Sequence, residues 1–169
     1  MPTVKHDDIY KEVRSYLIGL FSCPPETVIK GYQNRSPLPN HAIVMTILYE
    51  RDLDVSANYY ESLTDSTTVQ QSVEVAMQID FYGEGSGDKA RKLTTLWRNI
   101  YTTQKLKCCQ PLYAKSPMQM TYLNEKDQYE QRWSMDLLMQ YNPYFEHDQN
   151  YINTIPDIST LARITMVHI

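Results

Sequence analysis

At 169 residues the chain has the length of one ordinary domain. Apolar residues make up 42% and charged residues 21%, with a formal net charge of −4. That is enough for a core, and it excludes the basic footprint of a duplex-binding protein. No apolar run approaches the roughly 20 residues that span a bilayer, and Met1–Tyr10, with Lys5, His6, Asp7 and Asp8, lacks the apolar stretch of a signal peptide. Synthesis in the cytoplasm and no membrane association are therefore expected.

The first element is a helix over His6–Phe21. Ile9, Val13, Tyr16, Leu17 and Leu20 recur at three- and four-residue spacing, Asp7 and Asp8 favour the N-terminus, and Pro24–Pro25 end it. A short extended piece, Val28–Gln33, and a proline loop, Ser36–Asn40, follow. His41–Asp52 reads as a strand, apolar on both parities and so covered on both faces. Asp54–Thr68 is polar and carries Tyr59 and Tyr60; it reads as a long connection of the kind that is functional or disordered.

Val69–Tyr82 is the clearest strand. Val69, Val73, Val75, Met77, Ile79 and Phe81 share one parity, and Gln70, Ser72, Glu74, Gln78 and Asp80 the other. The pattern puts one face in the core and the other toward water or a partner. Glycines 83, 85 and 87 break the strand, and Asp88–Tyr101 is an amphipathic helix burying Ala90, Leu93, Leu96, Trp97 and Ile100. Gln110–Met120 reads as a connector, with a short strand over Gln119–Leu123 and a turn at Asn124–Asp127. Gln128–Tyr141 alternates again, with Trp133, Met135, Leu137, Met139 and Tyr141 against Arg132, Ser134, Asp136 and Gln140, until Pro143 stops it. The expected fold class is α+β: an antiparallel sheet with two helices on one face. The expected structural core is Val75, Met77, Ile79, Phe81, Leu93, Trp97, Trp133, Met135 and Leu137.

Candidate chemistry fails on spacing. Gly83, Gly85, Gly87 and Lys89 sit between a strand and a helix, but Asp88 follows Gly87 where a phosphate loop needs lysine and a hydroxyl residue. The dinucleotide fingerprint fails at the same Asp88. Glu130 and Asp136 lie about 20 Å apart along one strand, too far for a glycosidase pair. Glu125 and Asp127 belong to the turn. Neither a nucleophile elbow nor a Cys/His dyad is present, so no catalytic residue, cofactor or enzymatic activity is expected. Cys23, Cys108 and Cys109 are odd in number and partly adjacent, which suits reduced thiols acting as small apolar side chains. With His6, His41, His147 and His168 they make no metal-ligand spacing, and no metal is expected.

Tyrosine is abundant, 14 residues against 3 Phe and 2 Trp. It suits both interfaces and strands. The candidate interface residues are Tyr59 and Tyr60 on the long connection, with Glu74, Asp80, Glu130 and Arg132 on the outward parity as an inter-subunit charge ladder.

Val75–Gly87, the helix carrying Leu96–Arg98, the segment Pro111–Tyr113 with Pro117, and Gln128–Pro143 with its Asn-Pro stop together resemble the phage neck terminator family. The similarity covers roughly residues 5–145. Residues 1–145 are accordingly expected to form a single terminator-like domain, with 146–169 as a C-terminal extension. The resemblance implies a tail-terminator-like fold and a virion structural protein of the neck or tail, assembled in the host cytoplasm of a phage or prophage. It implies a ring, typically hexameric, that caps the tail tube and joins the head connector while DNA passes through its lumen. The partners implied are further copies of the chain, the tail tube protein and a head-completion or connector protein. A different tail-completion or contractile-injection-system protein is the alternative, ahead of a small enzyme or nucleotide-binding module.

Overall fold

Ile9, Val13, Tyr16 and Leu17 lie along one stripe of helix α1, His6–Phe21, and all four are buried in the computed structural model. Residues 3–32, 38–123 and 129–149 are described. The Asp8 carboxylate accepts a hydrogen bond from the Lys5 N–H at 3.0 Å, which satisfies one of the free donors at the helix start. Ser22 ends the helix in the left-handed region, at φ 48°. The chain then runs through β1 (Val28–Lys30), β2 (Ile43–Asp52), β3 (Ala57–Glu61), β4 (Ser66–Gln70), β5 (Val73–Tyr82), α2 (Ser86–Trp97), α3 (Ile100–Lys105), β6 (Gln110–Ala114), β7 (Met118–Leu123), β8 (Tyr129–Tyr141) and β9 (Tyr144–Asp148). No helix among the described residues is long and apolar enough to cross a membrane.

The main sheet has the order β1-β2-β5-β8-β6, with β7 paired further along β8. The α+β class holds, but the sheet is mixed, because β1 runs parallel to β2. Strand β5 is central: it pairs with β2 from Ile43↔Phe81 to Asp52↔Val73 and with β8 from Val73↔Tyr141 to Tyr82↔Arg132. An irregularity at Leu48 offsets the β2 register.

A second sheet, β3-β4-β9, repeats the order of the three central strands. Each central strand has a continuation there: β3 follows β2, β4 precedes β5, and β9 follows β8. All three paths break at one level, which forms the corner between the two sheets. There the Gln71 N–H donates to the Pro143 carbonyl at 3.1 Å and the Leu53 N–H to the Ser72 carbonyl at 2.9 Å. Gln71 Nε2 also reaches the Asp54 carbonyl at 2.6 Å. The second sheet is thus an arm continuing the main sheet past its end.

Four sequence expectations are corrected by this layout. Asp54–Thr68 is not a connection; β3 and β4 pair as a hairpin from Ala57↔Gln70 to Glu61↔Ser66, with Asp65 at positive φ in the turn. Val69–Tyr82 is not one strand, because the corner at Gln71–Ser72 moves Val69 to the arm. Gln110–Met120 is not a connector; β6 and β7 both lie along β8, and the Lys115 N–H keeps contact with the Asp136 carbonyl at 2.8 Å between them. There are three helices rather than two, since Asn99 starts a new one by accepting the Tyr101 N–H on its side chain at 2.9 Å. The turn Asn124–Asp127 and the segment Tyr151–Ile169 lie outside the described residues. The boundary drawn at residue 145 falls within β9, whose register with β4 runs from Gln70↔Tyr144 to Ser66↔Asp148.

The core lies between α1, α2 and one face of the main sheet. Val75, Met77, Ile79, Phe81, Leu93, Trp97, Met135 and Leu137 are buried in it, with Ile43 and Met45 of β2. Trp133 is only partly buried and packs at its margin. Its ring instead meets Gly87, where an added Cβ would come within 2.9 Å of Trp133 Cε2. Gly83 and Gly85 both have positive φ, 87° and 73°. A Cβ on Gly83 would lie 2.7 Å from His41 Nδ1. The glycine cluster therefore makes a tight strand-to-helix turn against two aromatic rings.

Candidate functional site

The arm carries Tyr59 and Tyr60. Every residue of β3 is exposed, and β9 is nearly so. Adjacent residues of a strand point to opposite faces. Tyr60 shares a face with Val69 and Phe145, whereas Tyr59 shares the other with Thr68 and Glu146. Tyr59 is 58% exposed and Phe145 65%. The Tyr60 hydroxyl donates to Asp65 Oδ1 at 2.8 Å, which ties the ring to the hairpin turn. Val55 and Leu63 at the two ends of β3 are also exposed. A three-stranded sheet ordinarily needs an apolar face packed on something to be stable.

The charge ladder is corrected in part. Glu74 and Asp80 are not outward surface groups; they are 2% and 4% exposed. They lie on the face of β5 away from the helices, but neighbouring side chains close over them. Arg51 Nη2 stands 3.0 Å from Glu74 Oε1, an ion pair without hydrogen-bond geometry. Arg132 donates from Nε to Asp80 Oδ1 at 3.2 Å, and Gln78 Nε2 donates to Asp80 Oδ2 at 2.8 Å. The Arg132 guanidinium also lies over the Tyr82 ring, 5.5 Å from its centre. These are pairs within one chain. Glu130 is exposed near the start of β8. The six candidates are thus not one site: two tyrosines sit on the arm, and the four charged residues sit on the main sheet.

That helix-free face has a feature the sequence pattern did not single out. Tyr49, Tyr113, Met118 and Met120 are all at least 40% exposed on it, and the register places them on the side of Ala76 and Leu138. Tyr113, Met118 and Met120 lie on two short strands separated by Pro117, so no long alternation marks them in the sequence. Asp136 on the same face is held by Lys115 Nζ at 2.8 Å, which raises the pKa of the lysine. Asp136 is therefore an ion-pair partner, not half of a carboxylate pair.

A second constellation joins residues far apart in sequence. Glu12 of α1 meets the loop between α3 and β6. Its Oε1 accepts the Lys107 N–H at 2.6 Å and its Oε2 the Cys108 N–H at 2.8 Å. The Cys108 thiol also donates to Oε2, at 2.6 Å. Cys109, beside it, is buried in the core. Its contact with the neighbouring thiol, burial and the Glu12 carboxylate all push the Cys108 pKa upward, so the thiol is held protonated. Sequence spacing gave no hint of Glu12, because 96 residues separate it from Cys108.

The arm and the helix-free face present apolar and aromatic side chains for contact. Comparison with curated proteins gives no match. The family model described as phage neck terminator protein matches residues 7–165, a span that runs past residue 145 and takes in the arm strand β9. The chain belongs to the phage neck terminator family, a family of structural proteins of the phage neck.

Proposed function

We propose that the protein is the subunit of a closed ring, typically of six copies, that caps the tail tube and joins it to the head connector. DNA passes through the lumen of this ring. Family membership supports the neck location, and the observation that carries the assembly reading is the arm. Tyr59 on one face and Tyr60 and Phe145 on the other are exposed on β3 and β9, and among the described residues no helix packs extensively on the arm. Such a sheet gains its packing partner from another chain. The arm is therefore the contact with a neighbouring subunit or with the tube protein, and Tyr59 and Tyr60 are its anchors. The mild net negative charge suits a channel that does not hold DNA.

Light scattering with negative-stain imaging tests this on the full chain, alone and mixed with its tube protein. Rings of defined mass that seat on tube ends are expected. A strict monomer at high concentration that leaves tube ends open would sink the reading. Because Tyr59 and Tyr60 face opposite ways, single substitutions are informative. Tyr59→Ala and Tyr60→Ala are each expected to keep the wild-type circular dichroism spectrum. Each should weaken assembly by roughly 30-fold, the loss of an interface anchor worth about 2 kcal/mol. Unchanged assembly in both would remove the arm from the interface.

A further inference from the structure

We propose that Glu12, Cys108 and Cys109 form a binding site for a thiophilic divalent cation of the zinc class. One ligand atom from each residue, the two sulfurs and a carboxylate oxygen, lies within 4.8 Å of the others. In a tetrahedral zinc site the metal is about 2.3 Å from sulfur and about 2.0–2.2 Å from oxygen, which sets ligand atoms about 3.5–3.8 Å apart. Small side-chain rotations therefore bring all three onto one ion.

The site is organised before any metal arrives. The two backbone N–H groups of Lys107 and Cys108 fix the Glu12 carboxylate in place, one on each oxygen. Each carboxylate oxygen has a second lone pair, and on Oε2 that lone pair now receives the Cys108 thiol proton. A cation takes the place of that proton. Both thiols lose their protons to solvent as two metal–sulfur bonds form, and no electron changes hands. Glu12 keeps its backbone hydrogen bonds and binds the ion through the freed lone pair.

Access and charge fit the same reading. Cys108 and Glu12 line a surface groove with Lys11, Tyr16 and Lys105. Water in this groove supplies the fourth ligand. Two thiolates and a carboxylate exceed the charge of a divalent ion by one; Lys11 and Lys105, less Asp8 in the same groove, offset that excess. Sulfur ligands favour zinc over the hard cations magnesium and calcium. The bound ion ties α1 to the α3–β6 loop, adding to the hydrogen bonds that Glu12 makes there and to the apolar packing around Leu106 and Cys109.

Cobalt(II) titration of the full chain, kept reduced with a non-chelating phosphine, tests the site. One equivalent is expected to give a thiolate-to-cobalt charge-transfer band and the strong visible absorption of tetrahedral cobalt, both erased by zinc. Cys108→Ser and Cys109→Ser should each lose the charge-transfer intensity of one sulfur and weaken binding roughly 100-fold or more. Cys23→Ser should match wild type. Glu12→Gln should weaken binding roughly tenfold; the serine variants carry the test if it misfolds. No charge-transfer band in wild type, or a band that survives both serine variants or disappears with Cys23→Ser, overturns the proposal.

Discussion

Trp97→Ala is expected to destabilise the protein by about 3–5 kcal/mol, the usual cost of truncating a fully buried aromatic ring. Trp97 has no exposed surface. Its ring meets the edge of Tyr16 with centres 6.0 Å apart, linking α2 to α1. Its indole N–H donates to the Leu138 carbonyl at 3.1 Å, close to where the register of β6 against β8 shifts between Pro111 and Tyr113. One side chain thus packs two helices together and supplies a donor to the sheet. The Tyr16 hydroxyl lies 2.7 Å from Thr102 Oγ1, and Thr102 in turn donates to the Leu96 carbonyl at 2.7 Å, so the start of α3 is tied to the same centre. A loss of this size should lower the thermal midpoint by roughly 6–20 °C. Trp97→Phe keeps most of the ring volume but removes the donor, and should fall between the alanine variant and wild type. A midpoint for Trp97→Ala within about 2 °C of wild type would contradict this account of the core. Trp133→Ala should cost less than Trp97→Ala, because Trp133 sits at the margin and keeps contact with solvent.

The contrast between the two tryptophans shows what periodicity reads well. Alternation in β5 and β8 correctly separates Val75, Met77, Ile79, Phe81, Met135 and Leu137 from their neighbours, because those residues face two helices. It says nothing about how far along a strand the helices reach, and Trp133 lies where α2 begins, against Gly87. Alternation also assigns Glu74 and Asp80 to the other face correctly, but it equates that face with solvent. Burial there is produced by Arg51 and Arg132 reaching across from neighbouring strands. Such coverage depends on register, which no single segment encodes. The arm leaves no sequence signal for a related reason. Tyr59, Tyr60 and the threonines at 67 and 68 have strand-forming side chains, yet β3 lacks an apolar parity because both its faces are open. A strand without a buried face leaves no period-two trace, and polar composition then looks like a loop. Glu12 could not be placed from sequence at all, since only the packing of α1 beside the α3–β6 loop brings it to Cys108.

Arg132→Ala is expected to cost about 3 kcal/mol in the full chain, near the low end for breaking a buried ion pair by removing one member. The Asp80 side chain is 6% exposed and that of Arg132 25%. Without the guanidinium, Asp80 keeps the Gln78 amide as the partner of its carboxylate among the described residues. The penalty arises chiefly from the stranded charge, since water reaches Asp80 poorly. Neutralising that charge should therefore recover stability: Asp80→Asn in the Arg132→Ala background is expected to be more stable than Arg132→Ala alone. The two substitutions should couple by about 1 kcal/mol or more in a double-mutant cycle followed by urea unfolding. The same cycle decides between the two roles open to Arg132. If it belonged to a ladder between subunits, Arg132→Ala would leave the unfolding midpoint of the dilute chain unchanged and abolish rings. A stability loss in the dilute chain, rescued by Asp80→Asn, assigns the pair to the fold of each subunit. On the proposed ring assembly, recognition between subunits then falls to the arm and to the exposed aromatic and methionine side chains of the helix-free face.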